Sequence, residues 1–171
     1  MVRGRRNPRY LGLPARLRKA RNGSDLTRMG LAEKAGVGAP TVLYTETNKR
    51  IPTVATVSRL ATALDVCAGW LGFGIGDAHA ASDSTNTDDM GTRLHTARDN
   101  GGLTKAALAR IVDLSPSAFA KIENGGQTGI DTIEKLAIAL RVSPAWLAFG
   151  VGPQTLPTRR KARTAQPDAR G

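Results

Sequence analysis

Apolar residues recur at helical spacing through Leu103–Gly125. Leu108, Ile111 and Val112 stand at i, i+3 and i+4 and predict one buried stripe. Thr104 is placed to cap that helix, its hydroxyl accepting from an orphan backbone N–H. A turn at Val112-Asp113-Leu114 follows. Ser115 caps a second helix, Pro116 fills its first position at no cost in hydrogen bonding, and Phe119 and Ile122 form its inner stripe. Gly125 ends it. Two short helices joined by so tight a turn predict a helix-turn-helix unit.

The same pattern stands earlier in the chain. Leu26-Thr27 matches Leu103-Thr104, Leu31-Ala32 matches Leu108-Ala109, and Glu46 matches Glu123, all at one offset. Arg16-Leu17, Ala20 and Arg21 match Arg93-Leu94, Ala97 and Arg98. After a one-residue gap near Ile51–Thr53, Leu60-Ala61, Trp70-Leu71 and Phe73-Gly74 match Leu136-Ala137, Trp146-Leu147 and Phe149-Gly150. Two copies of a domain of about 65 residues follow. The first copy predicts helices beginning near Pro14, at Thr27–Ala35, at Gly38–Asn48, after a Thr53 cap, and at Cys67–Phe73. The second predicts helices over 91–99, 105–112, 116–124, 131–140 with Asp131 as a cap, and 144–149. The expected fold is all-α, with five-helix domains at 11–76 and 91–153.

Charge adds a partner class. The net charge of +11 is unevenly spread. Residues 1–10 hold Arg3, Arg5, Arg6 and Arg9 and read as a basic flexible arm, able to follow phosphates or enter a minor groove. Residues 77–90 hold Asp77, Asp83, Asp88 and Asp89 and read as a flexible acidic linker, the Asp88-Asp89 pair being a solvated charge run. Residues 154–171 form a basic flexible tail through Arg159, Arg160, Lys161, Arg163 and Arg170. The linker has an r.m.s. span of about 20 Å and an extended reach of roughly 50 Å. One DNA turn is about 34 Å, so the copies are expected to reach neighbouring turns. A strongly basic chain points to a polyanion, nucleic acid above all. No basic amphipathic helix with aromatic anchors favours a membrane surface. Without a signal peptide or an apolar span, a cytoplasmic, nucleoid-associated location is expected. Cys67 is the single cysteine and reads as a small core residue.

Each copy resembles the lambda-repressor-like, five-helix DNA-binding domain of the Xre/Cro phage-repressor class. The resemblance rests on the T-[RK]-x-x-L-A start of the second helix, the E-N-G-G end of the third, and the closing W-L-[GA]-F-G-[IV]-G. It implies that the third helix lies in the major groove. Carried over, the base-facing positions are Ala39, Pro40, Thr41 and Tyr44, and in the second copy Pro116, Ser117, Ala118 and Lys121. The caps Thr27, Thr104 and Ser115 would stand at the phosphates. Arg28 and Lys105 occupy a position where the family commonly has a phosphate-contacting Gln. Lys49, Arg50 and Asn124 follow the third helix where the family meets the backbone again. Arg21 with Glu46 and Arg98 with Glu123 match an ion pair of the family, read as structural. The fifth-helix surface often carries a dimer contact in the family, which leaves a homodimer open.

This sequence departs from the pattern at the reading positions. Neither third helix offers Gln, Asn or Arg there, the side chains that make bidentate base contacts. Specificity is then expected from Tyr44, Lys121, Ser117 and DNA shape. Thr45 stands where Ile122 supplies an inward aliphatic. Two readings follow beside a non-specific nucleoid binder: a sequence-specific double-stranded DNA-binding regulator, expected to repress, or a chain in which one domain binds DNA and the other binds a protein through its Leu43/Tyr44 face. No enzyme and no cofactor are expected: His79 and His95 are the only histidines, no metal-spaced Cys/His cluster is present, and no glycine-rich phosphate loop fits.

Overall fold

The computed structural model describes residues 7–79 and 88–155. Much of the basic arm, the middle of the linker and most of the tail lie outside the described residues. The described residues form ten α-helices. In the first domain these are α1 (Leu13–Gly23), α2 (Arg28–Ala35), α3 (Ala39–Glu46), α4 (Val54–Leu64) and α5 (Ala68–Phe73). In the second they are α6 (Met90–Asn100), α7 (Lys105–Ile111), α8 (Pro116–Glu123), α9 (Ile130–Leu140) and α10 (Pro144–Phe149). A 3-10 turn at Arg9–Gly12 leads into α1.

Local chemistry sets most of these limits. The hydroxyls of Thr27, Thr104 and Ser115 accept from Gly30, Ala107 and Ala118 N–H at 3.0, 3.1 and 3.1 Å. Gly36 ends α2 in the left-handed region at φ 61°, and Asp113 takes the equivalent place after α7 at φ 60°. Three expectations need correction. Asp131 is not the cap of α9; the cap is Gly129, and the Ile130 N–H goes to the Pro52 carbonyl of the other domain at 3.2 Å. Asp89 is not merely solvated charge. It caps α6 by accepting from Thr92 N–H at 2.9 Å, and the Asp88 carbonyl accepts from Arg93. Ile111 is 59% exposed while Leu108 and Val112 are buried. Ile111 is the last residue of the helix and faces solvent beside Ile138.

Each domain closes over its own apolar core. Leu13, Leu17, Leu31, Val42, Val57, Leu60 and Leu71 are buried in the first, and Leu94, Leu108, Phe119, Ile130, Ile133, Leu136 and Leu147 in the second. Each such side chain stabilises by about 1.5–3 kcal/mol relative to exposure. Two arginines brace the domains in equivalent ways. Arg16 donates to the Leu71 and Gly72 carbonyls at 2.9 and 2.8 Å, and Arg93 donates to those of Leu147 and Ala148 at 3.1 and 3.0 Å. Each thus satisfies orphan carbonyls at the end of the fifth helix of its domain.

The two domains also pack on one another, α5 against α10. Small residues permit the approach: a Cβ at Gly69 would lie 2.9 Å from that of Ala145, and one at Gly72 would touch the Phe149 ring. Phe73 and Phe149 meet with ring centroids 6.1 Å apart and planes tilted by 45°, a favourable aromatic arrangement. Beside them Val54 N–H donates to the Thr128 carbonyl at 3.0 Å and Ile130 N–H to that of Pro52 at 3.2 Å, around a single antiparallel bridge between Thr53 and Gly129. In the internal repeat Val54 is the equivalent of Ile130, Pro52 of Thr128, Gly69 of Ala145 and Phe73 of Phe149. The domains therefore exchange equivalent contacts, as in an isologous interface around a two-fold axis. The fifth helices of the two domains thus meet inside one chain.

One contact departs from this symmetry. The Glu134 carboxylate of the second domain accepts from the backbone N–H groups of Arg9 and Tyr10 at 2.7 and 3.0 Å. Its repeat equivalent is Ser58. The last residues of the expected arm are thus an anchored turn, because a carboxylate of the other domain satisfies the turn's free donors.

Candidate nucleic-acid interface

The helix-turn-helix of the first domain is α2–α3 and that of the second is α7–α8. In α3 the side facing the core carries Val42, Thr45 and Glu46, each at most 2% exposed. This leaves Ala39, Pro40, Leu43 and Tyr44 outward, with Thr41 half-buried. In α8 the inward residues are Phe119, Ile122 and Glu123, and Pro116, Ser117 and Lys121 face out, with Ala118 half-buried. The residues expected to read bases therefore lie together on one outer face of each helix. Thr27, Arg28, Lys49 and Arg50 are exposed around the first such face, and Thr104, Lys105, Ser115 and Asn124 around the second.

Under each face sits a buried carboxylate, and here the structure adds what sequence reasoning missed. Glu46 Oε1 accepts from Arg21 Nε at 2.7 Å, the expected structural pair. Its other oxygen, Oε2, accepts from Arg28 Nε at 2.6 Å. Arg18 Nη2 donates to the Glu46 carbonyl at 3.0 Å. In the second domain Glu123 Oε1 accepts from Arg98 Nε at 2.8 Å, and Lys105 Nζ lies 2.6 Å from Oε2, an ionic contact off the hydrogen-bonding direction. Arg98 also pairs with Asp99 at 2.6 Å. The two residues expected to touch phosphate are thus tied to α3 or α8 of their own domain. The signal was legible as Arg and Lys at one position of both copies, but their shared partner was not.

These contacts govern ionisation. Burial alone would raise the Glu46 carboxyl, but hydrogen bonds and charge from Arg21 and Arg28 outweigh it and hold the group below its ordinary range. Glu123 follows the same pattern: burial works upward, and Lys105 and Arg98 bring the net shift down. The Arg98 guanidinium is pushed up, chiefly by its hydrogen bond to Glu123. Both carboxylates are therefore ionised at neutral pH and anchor their cations.

A family model described as "Helix-turn-helix domain" matches residues 13–69, and one described as "Helix-turn-helix", of the Xre/Cro type, matches residues 94–147. The chain is a tandem helix-turn-helix DNA-binding protein. The two matches cover α1 into α5 and α6 into α10, so the repeat read from the sequence and the two helical bundles coincide in this tandem helix-turn-helix protein. No solved structure matches the chain. Among the described residues, no cluster of His, Cys, Asp and Glu could hold a metal ion, and no helix is long and apolar enough to cross a membrane.

Proposed function

We propose that this DNA-binding regulator is a sequence-specific repressor, and that one chain serves as a complete pseudo-dimer. Each recognition helix, α3 and α8, enters the major groove of one half-site. The observation that carries this reading is the reciprocal exchange between Val54 and Thr128 and between Ile130 and Pro52. A two-fold arrangement of two readers fits two inverted half-sites one helical turn apart, or a multiple of it. The half-sites differ in detail, because α3 offers Ala39, Leu43 and Tyr44 where α8 offers Pro116, Ala120 and Lys121. Apolar groups suit thymine methyls, and a lysine suits the guanine acceptors. The basic arm and tail add phosphate contacts, and the acidic linker at 77–90 stays off the phosphates. With the fifth helices packed on one another inside the chain, no second chain is needed; the site of action is the nucleoid in the cytoplasm.

The test is a pair of single substitutions. Lys121→Ala should weaken binding to a specific site by roughly fivefold to a hundredfold, the range of about 1–3 kcal/mol for a lysine on a guanine, and Tyr44→Ala should weaken it by less. Each should relax preference in a different half-site. Loss from Lys121→Ala alone would assign the first domain's Leu43/Tyr44 face to a protein partner. Equal affinity for unrelated duplexes would mean a non-specific binder.

A further inference from the structure

The ion clusters under the two recognition helices differ from a plain structural pair. In both domains one buried carboxylate holds two cations: a buried arginine of the first helix and a half-exposed cation of the second. The Arg21 and Arg98 side chains are 12% and 8% exposed, whereas those of Arg28 and Lys105 are 47% and 52% exposed. A long cationic side chain on a surface ordinarily samples many rotamers, and fixing it when it meets a partner costs entropy. Here that cost is met on folding.

We propose that Glu46 and Glu123 are positioning residues for DNA binding, each holding one cation, Arg28 or Lys105, in place to meet a backbone phosphate. The inference rests on the reading of α3 and α8 as recognition helices. The chemistry suits the role, most fully in the first domain. Arg28 spends only Nε on Glu46, so both terminal nitrogens of its planar fork stay free for the two oxygens of a phosphate. Lys105 has a point charge and offers its N–H groups without that geometry. The carboxylate itself is 0% exposed in Glu46 and 2% in Glu123. Its charge is answered by a buried arginine at 2.7–2.8 Å, so its repulsion toward phosphate is small beside the ordering it provides. The first cluster, with Arg18, Arg21 and Arg28 on Glu46, is net positive. In the second, Asp99 also pairs with Arg98, which offsets the cations. The first domain is thus the stronger phosphate anchor.

The experiment uses the full chain and a fluorescent mixed-sequence duplex of about four helical turns, titrated from about 50 to 200 mM salt. Arg28→Ala should weaken binding about tenfold and reduce the salt slope by about 0.9, one phosphate's worth. Lys105→Ala should lower the slope equally with a smaller loss of affinity. Glu46→Gln, measured well below its melting temperature, should weaken binding about threefold or more, yet change nothing further when added to Arg28→Ala. That non-additivity separates positioning from mere support of the fold. Equal losses from Glu46→Gln with and without Arg28 would overturn the proposal, as would tighter binding by Glu46→Gln. Unchanged binding in Arg28→Ala and Lys105→Ala, with Tyr44→Ala and Lys121→Ala still weakened on a specific site, would also overturn it while leaving the recognition helices in place. No loss from any of the four would overturn both readings.

Discussion

At the scale of single residues, Glu46 and Glu123 decide how the molecule responds to acid. Both carboxyls sit below their ordinary range in the folded state. Their contribution to stability is therefore full above the unfolded value of about 4.3 and is lost as pH falls through the lower folded values. Urea midpoints should decline as pH is taken from neutrality down through that window, and the Glu46→Gln/Glu123→Gln variant should start lower and decline less. Equal pH slopes in the two proteins would contradict this. Cys67 carries a second prediction at this scale. It is the buried N-cap of α5 without a side-chain hydrogen bond, while Ser143, at the equivalent place, caps α10 through Trp146 N–H. Cys67→Ser should stabilise by up to about 1 kcal/mol, the usual worth of a cap, read as a higher urea midpoint. The Arg21–Glu46 pair was legible only through the family resemblance, which pairs those two positions. The sequence did not carry the second cation on each carboxylate, because that contact depends on a rotamer, and a residue type does not determine a rotamer.

At the scale of elements, helices were legible wherever a cap and an apolar stripe agreed, as at Thr104–Ile111 and Ser115–Glu123. They were misread where a long-range contact replaced a local one. The start of α9 is the clear case, because the Pro52 carbonyl does for Ile130 what a capping side chain does elsewhere. The α5–α10 packing was foreshadowed only by the resemblance, in which the fifth helix often carries a dimer contact. Its sharpest dependence is on Gly69, whose Cβ would stand 2.9 Å from that of Ala145. Gly69→Val should cost about 1–3 kcal/mol as an overpacked contact and should loosen the union of the domains. Denaturation followed by Trp70 and Trp146 fluorescence should then split from one transition into two. A single unshifted transition would show that the close approach is not required.

At the scale of the whole molecule, the linker expectation and the packed domains say different things about reach. A free linker would let the domains settle at any spacing it can span, with affinity falling as it lengthens. Packed domains fix the spacing themselves. Inserting about ten Gly/Ser residues after Ala81 should therefore change DNA affinity by less than about threefold, since doubling a loop costs only about 0.6 kcal/mol. The repeat, the helical periodicity and the basic charge were legible from residue types alone, and they sufficed for an all-α fold and a nucleic-acid partner; DNA itself entered only with the family resemblance. The two-fold relation was not legible, because it arises from pairing between Pro52–Val54 and Thr128–Ile130, segments that match no DNA-binding motif. The measurement that tests it most directly is a hydroxyl-radical footprint with a titrated stoichiometry, on a duplex selected from a random pool. One chain per duplex is expected, protecting two inverted blocks about one helical turn apart on one face of the DNA. Two chains per duplex, a single protected block, or two blocks in direct repeat would contradict the pseudo-dimer.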